Sequence, residues 1–92
     1  MTTWHLKSWP WFFEAILNGT KKHDLRSKKD RDFKVGDRVM LSEYDPIKGH
    51  YTGRLLFANI TYITSNDHPC AYSSAVLDRD ACILSLEVDR NA

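Results

Sequence analysis

Alternating hydrophobic and polar positions predict several short β-strands along this chain. In the clearest case, Val39 and Leu41 alternate with residues suited to the opposite face, as expected for a strand that buries one side. The segment from Arg54 to Thr64 is apolar on both faces, which predicts a central strand or a strand bent around a barrel. The predicted strands cover residues 3–7, 21–26, 38–44 and 54–64, and a last strand points Cys82, Leu84, Leu86 and Val88 inward.

One amphipathic helix is predicted between the first two strands. Ser8 is its expected N-cap, Pro10 fits its first turn, and Gly19 ends it because glycine enters the left-handed conformation without a Cβ clash. The apolar positions recur at helical spacing and form one stripe, which we interpret as core packing. The stripe consists of Trp9, Phe12, Phe13, Ile16 and Leu17, whereas Trp11 lies off it and is expected to be exposed.

Polar segments with glycine or proline separate these elements. They predict loops at residues 27–33, 45–53 and 65–69, a tight turn at residues 35–37 and a short helix at residues 72–77. Five to six strands, one main N-terminal helix and at most one more short helix fit a small, strongly curved sheet. The sequence therefore predicts an α+β fold built around a β-barrel.

Length and composition predict one packed domain spanning residues 1–92. Hydrophobic residues make up 42% of the chain and aromatic residues 12%, which argues against disorder. No stretch approaches the roughly 20 apolar residues of a membrane helix, and the N-terminus lacks a signal-peptide core. Two cysteines do not form a disulfide framework, so we expect a cytoplasmic protein that does not bind membranes.

Charge is unevenly distributed although the net charge is only +1. Residues 1–54 hold 11 Lys/Arg against 7 Asp/Glu, whereas residues 55–92 hold 2 against 5. Such a dipolar distribution could steer an anionic ligand toward one side of the molecule. The balance is too weak for a domain that grips long nucleic acid by phosphate contacts alone, so a nucleic-acid site would be small and local.

The densest group of candidate binding residues follows the predicted helix. Lys21, Lys22, His23, Asp24 and Arg26 lie where a helix stops and a strand begins, a common location for ligand-binding groups. In a regular strand Lys21 and Asp24 would point to opposite faces, so they converge only if the turn after the helix extends through residue 22. We expect that turn. The alternative is a solvated edge strand whose charges protect it from aggregation.

Two further groups of residues are weaker candidates. The predicted hairpin carries Tyr44, Tyr51 and Arg54, which could offer a stacking surface to a base. For Tyr44, ordinary cross-strand packing is at least as good an explanation. The basic residues between positions 26 and 38 are intermixed with aspartates, which indicates a solvated loop or, alternatively, a segment that contacts phosphates near the residues after the helix. These basic residues are Lys28, Lys29, Arg31 and Lys34.

The histidine and cysteine spacing does not suggest a metal site. His68, Cys70 and Cys82 lack the spacing of a zinc centre, and no Cys-x-x-Cys is present. We therefore expect no metal and no cofactor.

The segment Gly19-x-Lys21-x-x-Asp24-x-Arg26 resembles the Gly-x-Lys-x-x-Glu-x-Arg motif of ASCH domains, which belong to the PUA-like superfamily. Three further segments fit this resemblance: Phe33-x-Val35-Gly36-Asp37, Glu43-Tyr44-Asp45-Pro46 and Tyr51-Thr52-Gly53-Arg54. The last two are similar to a small ASCH-related subfamily of unknown function found in bacteria and phages. The resemblance covers about residues 4–88.

This resemblance implies a β-barrel with a polar cleft beside the first helix, and binding of RNA or a modified nucleotide. It also implies an alternative, because some small ASCH proteins are amidohydrolases that deacylate N4-acetylated cytidine. In those enzymes a lysine at the position of Lys21, a threonine at the position of Asp24 and a downstream glutamate are catalytic. Aspartate cannot supply a hydroxyl nucleophile, so the same mechanism is disfavoured here. If the protein is an enzyme, Lys21 and Asp24 are its expected catalytic residues. A third possibility is a phage or mobile-element accessory protein that acts through protein contacts alone.

Overall fold

Five strands and two helices make up the described part of the chain, which is residues 1–68 and 72–91 of a computed structural model. The elements are β1 (Thr3–Ser8), α1 (Pro10–Leu17), β2 (His23–Ser27), β3 (Arg38–Asp45), β4 (His50–Ser65), α2 (Ser73–Val76) and β5 (Ala81–Asp89). The predicted strands and both helices are confirmed, with shifted boundaries. Pro69, at the end of a predicted loop, and Cys70 lie outside the described residues. Neither described helix is long and apolar enough to cross a membrane.

The strands form one curled sheet in the order β1-β3-β4-β5-β2. The β1–β3 pair is parallel and the other pairs are antiparallel, and β4 is the central strand, as its two apolar faces predicted. The curl brings the two edge strands, β1 and β2, close to each other. A hydrogen bond of 2.6 Å from the Arg26 guanidinium on β2 to the carbonyl of Lys7 on β1 spans the remaining gap. Within the described residues the sheet is a half-barrel that stays open between β1 and β2.

The core lies inside this curl and is closed by one side of α1. The predicted inward positions of β3 and β5 are confirmed, since Val39, Leu41, Cys82 and Leu84 have no measurable exposure. Burial raises the pKa of the Cys82 thiol. The buried apolar side chains are Leu6, Phe13, Ile16, Phe33, Val39, Leu41, Leu56, Ala58, Ile60, Cys82, Leu84 and Leu86.

The apolar stripe predicted for α1 is only partly buried. Phe13 and Ile16 pack into the core, but Trp9 is 46% exposed and Phe12 is 43% exposed, so their assignment to the core was wrong. For Trp9 the physical reason is the helix start: it is the N-cap and has an extended backbone (φ −67°, ψ 152°), so helical spacing does not apply to it. Trp11 is exposed, as predicted.

Ser8 does not cap the helix, contrary to its predicted role. It is the last residue of β1 and is buried, and its Oγ has no hydrogen-bond partner among the described residues. At the other end of α1 the prediction holds, because Gly19 has a φ of +88° and the chain reverses there.

The predicted hairpin loop at residues 45–53 is mostly strand. Tyr44 pairs with Tyr51 and Asp45 pairs with His50, which leaves a turn of four residues. The Asp45 carboxylate accepts hydrogen bonds from the backbone N–H groups of Ile47 and Lys48 inside this turn. Proline and glycine in the sequence thus mark a tight turn and a twisted strand end rather than an open loop.

The turn before β3 is attached to β1 by the side chain of Asp37. This buried carboxylate accepts hydrogen bonds from the backbone N–H groups of Thr2 (3.1 Å) and Lys34 (3.1 Å) and from Trp4 Nε1 (2.9 Å). Burial opposes its ionisation, but these three donors outweigh burial and hold the pKa of Asp37 below its ordinary value. Asp37 therefore fixes the register at which β1 enters the sheet.

Candidate functional site

The turn that follows α1 places Lys21 beside the start of β2. The positive φ of Gly19 lets the backbone N–H of Lys21 return to the carbonyl of Ala15, at 3.0 Å. Because β2 begins only at His23, Lys21 still belongs to the turn, as expected from the sequence. Its Nζ lies 3.9 Å from Oδ1 of Asp24 and donates a hydrogen bond to the carbonyl of His23. The turn therefore brings Lys21 and Asp24 together.

Asp24 is a buried carboxylate that orients Arg26. Its Oδ2 accepts a hydrogen bond of 2.6 Å from Arg26 Nε, while the far end of the same guanidinium binds the Lys7 carbonyl. Two of the five N–H groups of the guanidinium are thus used, and the other three have no partner within residues 1–68 and 72–91. Lys21 and Arg26 approach one carboxylate from two sides, so Asp24 holds both cations at the opening of the half-barrel.

A cavity of about 430 Å³ lies at this opening. It is bounded by the end of β1, the start of α1, the turn at Lys21 and strand β2. Its lining residues are Lys7, Ser8, Trp9, Phe12, Lys21, Asp24, Leu25 and Arg26. Its size falls in the range of small-molecule sites, and it combines apolar surface with a few polar groups, as such sites do.

Aromatic side chains form one wall of this cavity. The rings of Trp9 and Phe12 are nearly parallel, at 16°, with centroids 6.4 Å apart, and Trp11 contacts both rings edge-on. Lys21 Nζ lies 5.8 Å from the centroid of the Phe12 ring. Three half-exposed aromatic residues within four positions are costly to leave in water, and contiguous apolar surface of this kind usually marks a binding site.

The cavity has a positive electrostatic character. Among the described residues, three cationic side chains line it, against the one carboxylate of Asp24. Lys7 is exposed and, within residues 1–68 and 72–91, forms no ion pair; its Nζ lies 4.4 Å from the centre of the Tyr44 ring. An anionic group would therefore find uncompensated positive charge next to an aromatic surface.

The other sequence-predicted site residues lie outside this cavity. Lys22 and His23 are exposed and do not line it, and the Lys22 carbonyl accepts a hydrogen bond from the backbone N–H of Leu86. Tyr44 and Tyr51 meet edge-on, with centroids 5.1 Å apart, on the neighbouring hairpin. Tyr51 lines an adjacent cavity.

Arg54 is held by two glutamates and does not line the cavity. Its guanidinium makes two hydrogen bonds of 3.0 Å to the buried Glu43 and one of 3.0 Å to Glu14. The hydrogen bonds from Arg54, and then the one from Thr52, hold the pKa of Glu43 below its ordinary value. The pKa of Arg54 is raised by the same contacts. These contacts give Arg54 a structural role in closing the β3–β4 hairpin.

Several lining residues were not predicted as site residues. They are Lys7, Ser8, Trp9, Phe12 and Leu25. One sequence signal could have indicated the aromatic pair: an eight-residue helix buries one narrow face, and it cannot bury four large aromatic side chains within five positions. Lys7 and Ser8 carry no such signal, because they reach the site only through the pairing of β1 with β3.

The fold and site define a small α+β domain in which a curled five-stranded half-barrel carries a cationic, aromatic-walled pocket at its open edge. The chain belongs to the family described as a domain of unknown function, DUF3850, whose model matches residues 3–86. It is similar to an uncharacterized 12.9 kDa protein in the GpA 3′ region of Escherichia phage P2, with 40% identity over 53 residues. These residues are 58% of this chain and 46% of the phage protein, so the match spans less than half of that relative's length.

Proposed function

We propose that this protein binds RNA or a modified nucleotide in the pocket between α1 and β2, as a member of the ASCH domains of the PUA-like superfamily. The single observation that carries the proposal is the shared lining of the pocket. Trp9 and Phe12, both about half exposed, border the same cavity as Lys21 and Arg26. A nucleotide has the matching chemistry, since its base stacks on aromatic rings and its phosphate binds cations.

Each group in the pocket has a role in this proposal. Trp9 and Phe12 supply the stacking surface, and such stacking contributes about 1–3 kcal/mol per base. Arg26 offers its three remaining N–H groups to phosphate or a carbonyl oxygen, a geometry that suits the guanidinium fork. Asp24 keeps Arg26 oriented. The motif resemblance supports the same assignment, because the cavity contains the lysine, the acidic residue and the arginine of the ASCH motif.

Binding of short single-stranded RNAs, followed by fluorescence anisotropy at low and moderate salt, tests this proposal. The variants Trp9→Ala, Lys21→Ala and Arg26→Ala are each expected to weaken binding about tenfold or more, the equivalent of about 1.4 kcal/mol. The chain offers a close control: Lys22→Ala removes an exposed lysine that does not line the cavity. Equal effects of Lys21→Ala and Lys22→Ala would contradict a site in this pocket.

Hydrolysis of an N4-acylated cytidine-type nucleoside is the second candidate. The observation that favours it is the distance of 3.9 Å between Lys21 Nζ and Asp24 Oδ1 inside the pocket, because a lysine could stabilise the charge that develops on an attacked amide. The observation against it is the state of Asp24, which Arg26 Nε engages at 2.6 Å and which is therefore a poor nucleophile or base. Incubation with N4-acetylcytidine and chromatography for cytidine decides the matter. Turnover that Lys21→Ala abolishes would support the enzyme, and its absence would reject it.

A further inference from the structure

A second cavity, of about 500 Å³, adjoins the first along β1. It lies where β1 pairs with β3 and is bordered by the basic loop after β2 and by the start of β4. Its lining residues are His5, Leu6, Lys7, Arg26, Arg31, Met40, Ser42 and Tyr51. Lys7 and Arg26 line both cavities, so these two cations stand at the junction between them. The two cavities thus border each other at Lys7 and Arg26, beside the open edge of the half-barrel.

The charge of the second cavity differs from that of the first. Among the residues that the structure describes, no carboxylate lines it, whereas Lys7, Arg26 and Arg31 do. Of these three, only Arg26 has an ion-pair partner within residues 1–68 and 72–91. An uncompensated group of cations is unfavourable by itself, and it becomes favourable when an anion binds. The second cavity therefore matches phosphate chemistry.

The second cavity also has an aromatic surface of its own. Tyr51 is 53% exposed, and its ring is held by edge contact with Tyr44 and by the Lys7 ammonium, which lies 5.8 Å from its centre. Arg31 lies in the basic loop between β2 and β3 and is exposed. The first cavity thus has an aromatic pair, Lys7 and Arg26 line both cavities, and Arg31 and Tyr51 line the second.

We propose that the ligand of this site is a single strand of at least two nucleotides rather than a mononucleotide. One base stacks on Trp9 and Phe12, the phosphate that links the two nucleotides binds Lys7 and Arg26, and the next nucleotide contacts Arg31 and Tyr51. Aromatic rings in both cavities, with two cations at their shared border, match two bases and the phosphate that links them. The inference deepens the proposed function and rests on it.

The test compares a nucleoside monophosphate with the dinucleotide and tetranucleotide of the same base, by calorimetry on the full chain. The dinucleotide is expected to bind at least tenfold more tightly than the monophosphate. Arg31→Ala and Tyr51→Ala should remove most of that gain and leave monophosphate affinity unchanged within about twofold. Both residues are exposed, so circular dichroism should show folded variants. Lys29→Ala, in the same loop but not part of the second cavity, is the control and should bind as the unaltered protein does.

The outcomes separate this inference from the proposed function. If the monophosphate and the dinucleotide bind equally and Arg31→Ala changes neither affinity, the inference is overturned and the proposed function stands. If neither ligand binds, both fail. Binding of an acidic peptide in place of every oligonucleotide would also overturn both, and would instead indicate a protein partner. For single strands, loss of one phosphate contact in Arg31→Ala should lower the slope of log affinity against log salt by about 0.7, as counterion release requires.

Discussion

Replacing Arg54 by alanine should destabilise the fold, because Arg54 neutralises a buried carboxylate. The Glu43 side chain is 6% exposed and receives two of its three hydrogen bonds from Arg54, the third coming from Thr52. Loss of one partner of a buried ion pair costs about 3–5 kcal/mol. The Arg54 side chain is 49% exposed, however, so water can replace part of the lost contact, and its outer bond to Glu14 contributes at most about 1 kcal/mol.

These considerations give an expected loss of about 2 kcal/mol in the free energy of unfolding. In urea, with a slope of about 2 kcal/mol/M, the unfolding midpoint of Arg54→Ala should fall by about 1 M. Arg54→Lys should be intermediate, since one ammonium cannot make the two parallel bonds. Arg31→Ala removes an exposed arginine and serves as the control, with an expected change of no more than about 0.5 kcal/mol.

The effect of Arg54→Ala should also depend on pH in a defined direction. Hydrogen bonds from Arg54, and then from Thr52, lower the pKa of Glu43. The ion pair between Arg54 and Glu43 therefore contributes fully to the free energy of unfolding above the ordinary Glu pKa of 4.5. That contribution is lost as the pH falls through the lowered pKa of Glu43. Once Glu43 is protonated it no longer needs a cation, so the difference between the two proteins should shrink below about pH 4.5. A difference that is constant from pH 7 to pH 3, or smaller than about 0.5 kcal/mol at pH 7, would refute this reasoning.

Two further substitutions test the turns that position the site. Gly19→Ala should lower stability by about 1–2 kcal/mol, because the residue has a φ of +88°; thermal unfolding would show this, and a melting temperature equal to that of Lys22→Ala would contradict it. Asp37→Ala removes the acceptor of three N–H groups and should cost about 3 kcal/mol in urea unfolding. The exposed Asp32→Ala is its control, and equal stability of these two variants would show that Asp37 does not fix β1.

The strands were predictable because their hydrophobic period is a local property. Val39 and Leu41 on β3 and Cys82 and Leu84 on β5 are buried as their spacing required. The turn that brings Lys21 to Asp24 was also predictable, since the conformational freedom of Gly19 is local chemistry. What these residues share is that their neighbours along the chain decide their conformation.

The pocket itself was only half predictable, because it joins distant parts of the chain. Lys7 and Ser8 line the pocket because β1 pairs in parallel with β3. Their partners on β3 lie more than thirty positions further along the sequence. The exposure of Trp9 depends on where α1 begins, and the hydrophobic periodicity alone does not locate the first residue of the helix. The ion pair between Arg54 and Glu43 forms because β3 and β4 pair as a hairpin. The turn of this hairpin is shorter than the loop that the sequence predicted.

The hydrogen bond from Arg26 to the carbonyl of Lys7 has a consequence for the behaviour of the chain in a crowded solution. A sheet that does not close leaves two strands with unpaired backbone groups, and such groups can pair with another molecule. Arg26 occupies one of these groups on β1 from across the opening, while Asp24 prevents it from turning away. The residue proposed to bind phosphate therefore also covers a backbone acceptor at this open edge of the sheet. Substitutions at this position face two demands at once, and a lysine, with its single point of charge, would satisfy both poorly.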